Sequence, residues 1–389
     1  MTRARRAEIV GAGMAGLTAA AALCQRGWSV RVHERMDAVR IVGSGLSIFE
    51  NALRVMRAIG AEADAIRGAR RGYERETRDA QGRTTSHIAY ATTMYEITRE
   101  QVVAALAGAA RRLGAEIATG STVSAVGADG TIALEGGGSA KADLVIVADG
   151  AGSRLRDMLG ISWSRKWLAD GAIRIVVPRR PDELAHPDAH KNIEYWSGHR
   201  RILIAPCSDT ELYVALTTLD RDEAAKRLPI DKALWTRSFP TLGALIDRLD
   251  GEARWDRFVV IKMKRWSTGR VAVIGDAAHA MAPNLGQGGA CAMMNALGLA
   301  VVLERHADIA AGLDAWERQE RPLTDHTQRL SSFYSALTVW PDALRSAAFW
   351  TTSRSKWLRR QYLRTALHVP TGTEAFPPPS AGPAMRVAT

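Results

Sequence analysis

The sequence predicts an α/β protein built on a parallel sheet, with a second, mixed sheet inserted into it and helices at the C-terminus. Three observations carry this prediction. Residues 6–34 read as strand, glycine-rich turn, Ala-rich helix and second strand. Two later apolar runs, 144–148 and 271–274, are of the buried parallel-strand type, and each ends in an acid beside a glycine, Asp149-Gly150 and Gly275-Asp276. Between 163 and 263 the pattern changes to short strands at 171–178, 192–196, 201–206, 211–217 and 258–263, with polar helices between Asp222 and Leu249. That change marks a separate sheet-containing unit.

In the opening unit the turn is Gly11-Ala12-Gly13-Met14-Ala15-Gly16, and each glycine has a physical task. Gly11 permits the tight turn, Gly13 lets a pyrophosphate approach the backbone, and Gly16 lets helix and strand pack closely. The helix that begins beside Met14 and Ala15 turns its unpaired N–H groups and the positive end of its dipole toward the phosphates. Gly27 closes that helix, and the strand 29–33 delivers Glu34 about 20 residues past the glycines, where a carboxylate accepts ribose hydroxyls. A lone G-x-G-x-x-G is weak. Strand, helix, strand and terminal acid together predict a Rossmann-like dinucleotide site, because a plain glycine turn leaves Glu34 without a task.

Arg35, Arg40, Gly43 and Gly45 continue as phosphate-side loop into a strand, followed by an amphipathic helix over 51–59. The alternation over 73–90, with a turn at Gly82, predicts a hairpin that leaves the nucleotide unit. Thr98 caps a helix over 102–113 that brings the chain back. After Asp276 a long helical region runs to about residue 333, one or two helices follow Pro341, and the Pro-rich tail is expected to be disordered. The expected division is therefore 1–72, 98–162 and 264–335 for the nucleotide domain, 73–97 and 163–263 for a substrate domain, 336–375 for C-terminal helices and 376–389 for the tail.

A chain of 389 residues with 47% hydrophobic and 24% charged residues has room for a substantial core and two domains. No run of about 18 apolar residues spans a bilayer. The basic start runs directly into the nucleotide-binding strand without a secretory leader, and Cys24, Cys207 and Cys291 are dispersed in apolar surroundings as reduced core residues. A cytoplasmic location without membrane association is the expectation. The net charge of +11 is spread along the chain, with no basic stripe, helix-turn-helix or zinc spacing. It speaks for anionic ligands and against nucleic acid.

Open α/β sheets bind ligands beyond the carboxyl ends of their strands, so three such ends can surround one long cofactor. The glycine turn with Glu34, the segment Asp149-Gly150-Ala151-Gly152-Ser153-Arg154-Leu155-Arg156, and Gly275-Asp276-Ala277-Ala278-His279 continuing through Pro283, Gly286 and Gly289 are found together. The combination resembles the FAD-dependent single-component aromatic hydroxylases of the para-hydroxybenzoate hydroxylase type, over nearly the whole chain to about residue 335. Arg5-Arg6-Ala7-Glu8, Arg200-Arg201-Ile202-Leu203, Pro206-Cys207, Glu211-Leu212-Tyr213 and Cys291-Ala292-Met293 are more narrowly similar to the hydroxypyridine-carboxylate oxygenases among them.

The resemblance implies FAD as cofactor and NADH or NADPH as transient co-substrate. It also implies transfer of oxygen from O₂ to an electron-rich ring through a flavin C4a-hydroperoxide, with no metal and no separate reductase. Gly11, Gly13 and Gly16 would hold the pyrophosphate and Glu34 the adenosine ribose, with Met14, Ala15 and Arg35 also binding the cofactor. Arg40 and Arg99 would approach from the ribityl-phosphate side, and Asp276 would bind the ribityl chain. Gly286 and Gly289 would lie beside the isoalloxazine, and Asp149 belongs to a motif tied to both FAD and pyridine-nucleotide handling. Arg201 and Tyr213 match residues that contact the substrate's ring hydroxyl, and Tyr73 matches a third pocket tyrosine, all three as catalytic candidates; Pro283 and Ser47 match the pocket wall, Ser47 standing where the relative carries a tyrosine. The implied substrate is a small anionic hydroxy-aromatic or hydroxypyridine carboxylate, hydroxylated or ring-opened, handled by a homo-oligomer. The alternatives are a FAD-dependent reductase, a non-catalytic nucleotide-binding protein, and a flavin halogenase, whose Trp-x-Trp-x-Ile-Pro element Trp163-Ser164-Arg165-Lys166-Trp167 does not supply.

Overall fold

The computed structural model describes residues 4–39, 44–90, 92–251 and 253–376. Arg40 and the tail from 377 onward lie outside the described residues. A six-stranded sheet has five parallel strands in the order Val271–Val273, Leu144–Val147, Arg6–Val10, Ser29–His33 and Glu116–Ala118, with Ser267–Thr268 antiparallel at one edge. Because these five run the same way, the residues that follow them collect along one edge of the sheet. Helix Met14–Cys24, nearly all buried, packs against helices Gly288–Glu304 and Arg99–Arg112 over this sheet. Gln101 N–H donates to Thr98 Oγ1 (3.4 Å), so the predicted Thr cap opens the latter helix.

A seven-stranded mixed sheet has the order Arg254–Met263, Trp163–Pro178, Glu211–Leu219, Arg200–Pro206, Lys191–Ser197, Glu74–Asp79 and Thr84–Ala89. The hairpin predicted at 73–90 supplies its last two strands. Side chains alternate across it. Ile202, Leu216, Val214 and Ile173 face the helices at 232–246, where Trp235 and Phe239 stack at 6.0 Å. Arg201, Thr217, Ala215 and Tyr213 lie at alternate positions and face the other way. The strand expected to begin at 171 begins at Trp163, because a bulge between Trp167 and Gly171 lets it pair with Arg254–Met263 on both sides of the irregularity. Its polar first half carries no periodic signal.

A small antiparallel sheet of Gly45–Phe49, Met94–Thr98 and Arg70–Arg71 lies in the chain between the two large ones. The helical region after Asp276 is two long helices, Gly288–Glu304 and Ile309–Ala336, the second capped by Asp308, whose Oδ1 accepts from Ala311 N–H at 2.7 Å. Helices Asp342–Arg354 and Lys356–Leu363 follow. Among the described residues no helix is long and apolar enough to cross a membrane.

Candidate active site

The carboxyl edge of the parallel sheet brings Gly11, Glu34, Asp149 and Asp276 together. Gly11 turns at φ +103°, and a β-carbon there would stand 2.5 Å from Ala148 O at the end of the neighbouring strand. A β-carbon on Gly16 would fall 2.0 Å from Gly11 O, so the helix seats directly on the turn. At Gly13 nothing lies within 4 Å. Gly13 is also the N-cap of an 11-residue helix with no side-chain cap, so the open face and the uncapped N–H groups coincide. Glu34 reaches the same place, its Oε2 accepting from Ala12 N–H at 3.0 Å. Beneath it, His33 Nε2 pairs with Glu8 Oε2 at 2.7 Å in a buried contact that fixes the end of the strand.

Asp149 and Asp276 both open to solvent within recesses. The protein around Asp149 raises its carboxyl above the ordinary range, against Ser153, Arg156 and Arg35. Burial raises Asp276 in the same way, opposed by Arg99. The middle motif ties the two together. Arg156, fully buried, donates to Ala277 O (2.7 Å) and Ser153 O (3.2 Å) and lies 3.9 Å above the Trp163 ring. Gly275, at φ +63°, sits against Ala15, and Gly289 against the sulfur end of Met14, so pyrophosphate turn and glycine loop touch. His279 is enclosed by Trp266 (5.0 Å between rings) and Asn295, and burial lowers it to about 4, which makes it a neutral structural group.

The segment 283–289 leaves Gly286 in a left-handed conformation at φ +63°, against Ser47 and Phe49. Pro283 is exposed at its start. Gln287 is buried; its Oε1 accepts from Asn51 Nδ2 at 2.8 Å, while its Nε2 finds no partner among the described residues. An orphan donor here, an open glycine at 13 and the recessed Asp276 fit the ring, the pyrophosphate and the polyol of FAD.

The sheet side differs from the expectation for Arg201. Its guanidinium is only 2% exposed and is matched by two carboxylates, Glu194 Oε1 and Asp170 Oδ2, each at 3.2 Å. It also donates to Asn284 Oδ1 at 2.6 Å. Arg75, which sequence reasoning missed, meets Glu194 Oε2 (2.8 Å), Tyr334 (3.1 Å), Tyr362 (3.0 Å) and Asn284 O (3.4 Å). Burial alone would raise Glu194, but Arg75 and Arg201 hold it down to about 2. Two arginines and two acids thus neutralise one another while gripping the turn Pro283–Leu285 through Asn284. Tyr213 is on the same sheet face as Arg201, but its ring packs on Gly45, where a β-carbon would meet it at 2.5 Å. Tyr73 is 42% exposed, with Arg71 and His190 as its ring neighbours, and is not brought to Arg201 or Tyr213.

A second group that sequence reasoning missed is Glu96. It is 2% exposed, its Oε1 accepts from Ser47 Oγ at 2.6 Å, and Asn192 Nδ2 also donates to it. Burial raises its carboxyl to about 7, with Ser47 and Asn192 opposing. The folded chain therefore keeps this proton between about 4.5 and 7 while the unfolded chain loses it. Stability must fall as pH rises through that window, by about 3 kcal/mol in all. Glu96→Gln should abolish that decline and gain on the wild type at pH 8 but not at pH 4.5. Thermal unfolding of both proteins across this range checks it; parallel pH profiles would show Glu96 ionised throughout.

Among the described residues no cluster of three or more His, Cys, Asp or Glu is placed to hold a metal. Burial raises all three thiols, Cys24 to about 11 and Cys291 to about 12, in keeping with unreactive core residues. A family model described as a FAD binding domain matches residues 5–330. The chain is 40% identical over 373 residues, 95% of its own length and 98% of the other, to a putative 2-heptyl-3-hydroxy-4(1H)-quinolone synthase of Rhodococcus erythropolis. Its fold is similar to the tetrameric form of 2-methyl-3-hydroxypyridine-5-carboxylic acid oxygenase (TM-score 0.86, 36% identity, 95% and 97% of the two chains). It is also similar to Klebsiella pneumoniae HpxO complexed with FAD and uric acid (TM-score 0.79, 25% identity, 93% and 96%). With the family model spanning most of its length and a cofactor edge that fits, the chain belongs to this FAD-binding family and is a FAD-dependent aromatic monooxygenase with NAD(P)H as co-substrate.

Proposed function

We propose that this monooxygenase hydroxylates a neutral, hydroxylated nitrogen heteroaromatic ring of the quinolone kind. The observation that carries the reading is the charge balance beside the glycine loop: Arg201 and Arg75 are matched by Asp170 and Glu194. A substrate carboxylate would have to displace an internal partner, whereas a neutral ring would not. The 40% identity to a quinolone synthase supports the same class.

In this reading FAD, when bound, supplies electron transfer from NAD(P)H to O₂ and an electrophilic oxygen. The chain's own residues position and exclude. Gly11, Gly13 and Gly16 with Met14 and Ala15 cradle the pyrophosphate; Glu34 and Arg35 hold the adenosine ribose. Asp276 and Arg99 hold the ribityl side, and Asp149 closes the edge between them. Gly286, Gln287 and Gly289 face the isoalloxazine. Ser47, Pro283 and Tyr213 would wall the ring pocket, and Glu96, bonded to Ser47, would take a proton from a ring N–H or O–H. Arg201 positions the loop through Asn284, and Tyr73, exposed beside Arg71 and His190, has no part in the ring pocket of this reading. The two-domain division remains part of this reading, and the hairpin Glu74–Ala89 in the substrate sheet supports it, although Met94–Thr98 pairs with Gly45–Phe49. The tetrameric pyridine-carboxylate oxygenase supports a homo-oligomer.

Two measurements test this. Asp276→Ala should weaken FAD binding about thirtyfold, the scale of a charged hydrogen bond worth about 2 kcal/mol, without unfolding the chain; flavin titration of the apoprotein reads it, and unchanged affinity would reduce Asp276 to a structural acid. Stimulated NAD(P)H oxidation and product mass should then be scored over 4-quinolones, hydroxypyridine carboxylates and hydroxybenzoates. A gain of one oxygen on a neutral quinolone is expected. Turnover of carboxylates alone would return the substrate to the class first read from the sequence.

A further inference from the structure

Beside the glycine loop lies a cavity of about 100 Å³ that the ring site does not account for. Its walls come from the hairpin (Ile88), the end of the long helix (Leu330, Phe333), the two C-terminal helices (Phe349, Leu358) and Leu285. Leu285 ends the turn Pro283–Leu285 and directly precedes Gly286, so one end of the cavity abuts the segment at which the ring is placed. Phe333 in its wall is 51% exposed. Its charged and phenolic groups, Arg75, Tyr334 and Tyr362, already bond to one another and to Glu194. A dry apolar cavity of about 150 Å³ binds benzene. At about 100 Å³ this one is smaller and would take a short run of methylenes rather than a second ring.

We propose that this cavity is a subsite for an alkyl tail carried by the heteroaromatic substrate, so that ring and tail are bound by separate parts of the chain. The proposal rests on the ring-hydroxylation reading above. It gives the C-terminal helices a task in selecting substrates by their apolar substituent.

The test uses the FAD-loaded full chain and 4-quinolones carrying hydrogen, methyl, pentyl, heptyl or nonyl at position 2. Dissociation constants are read from the perturbation of flavin absorbance without NAD(P)H, and hydroxylated product per NAD(P)H is measured separately. Each methylene should tighten binding about fourfold, which corresponds to about 0.8 kcal/mol, until the cavity is filled. Ala348→Phe and, independently, Leu358→Trp should remove the chain-length dependence while leaving the 2-methyl compound bound and hydroxylated as before. Using two variants at different walls, each checked for flavin content and melting temperature, separates blocking from misfolding. Equal affinity for methyl and heptyl compounds with normal hydroxylation of both would overturn the tail subsite and leave the ring reading intact. A persistent chain-length dependence in both folded variants would place the tail elsewhere and likewise overturn the subsite. Failure to hydroxylate any quinolone, with turnover of ring carboxylates, would overturn both.

Discussion

Arg201→Ala should destabilise the protein by about 3–5 kcal/mol, the cost of leaving buried carboxylates without their cation. Asp170 is wholly buried, and its remaining partners are the hydroxyls of Ser335 and Thr338. Glu194 keeps Arg75 and is hurt less. The loss should appear as a melting point several degrees lower in the FAD-loaded enzyme. Because Asn284 loses a 2.6 Å bond, the fraction of NAD(P)H spent without hydroxylation should also rise. Arg201→Lys should recover little, since one ammonium cannot span both carboxylates and Asn284 in the planar fork that the guanidinium provides. Equilibrium unfolding beside coupling measurements decides the matter. Unchanged stability with a raised KM would make Arg201 a substrate ligand instead.

Gly16→Ala and Gly13→Val should both yield protein without flavin, for opposite reasons. At Gly16 the new carbon meets the carbonyl of Gly11 at 2.0 Å, backbone against backbone, so the turn must open and the helix lose its seat. That variant should be poorly folded. At Gly13 the apoprotein has open space, so valine should be accommodated in a normally folded chain. It should lose FAD affinity on the order of a hundredfold or more, about 3 kcal/mol, because the side chain occupies the pyrophosphate's approach. Circular dichroism and flavin content of the purified variants separate the two effects. A yellow Gly13→Val protein with full FAD would be incompatible with the cofactor edge as assigned.

The parallel sheet and its cofactor edge were legible because their signals are local: apolar runs ending in an acid and a glycine, and glycines at fixed spacing. The sheet opposite was legible as strands but not as a surface. Glu194, Glu96 and Arg201 alternate with apolar residues as solvent-facing positions do, yet they point into the protein because the second face of their sheets is covered by the rest of the chain. Nothing in a single sequence distinguishes a face covered by water from one covered by distant segments. Arg201 was accordingly read as a lone cation awaiting a substrate, and Arg75 and Glu96 were passed over. The C-terminal helices were foreseen but not their part in a cavity, since Ala348, Phe349, Thr352 and Leu358 form no marked apolar stripe.

The order of strands in the parallel sheet has a consequence for how the protein matures. The strand before Asp276 pairs with the one before Asp149, and that strand with the one before Gly11, although the chain builds most of another sheet between the last two acids. Contacts so distant in sequence form slowly, and a nascent chain has no complete cofactor edge until nearly three quarters of it has left the ribosome. Flavin capture is therefore a late event that locks an assembled fold, and its free energy is added to the finished state alone. Cells short of flavin would accumulate complete but loosely held chains, and supplying the vitamin during expression should raise the yield of intact protein.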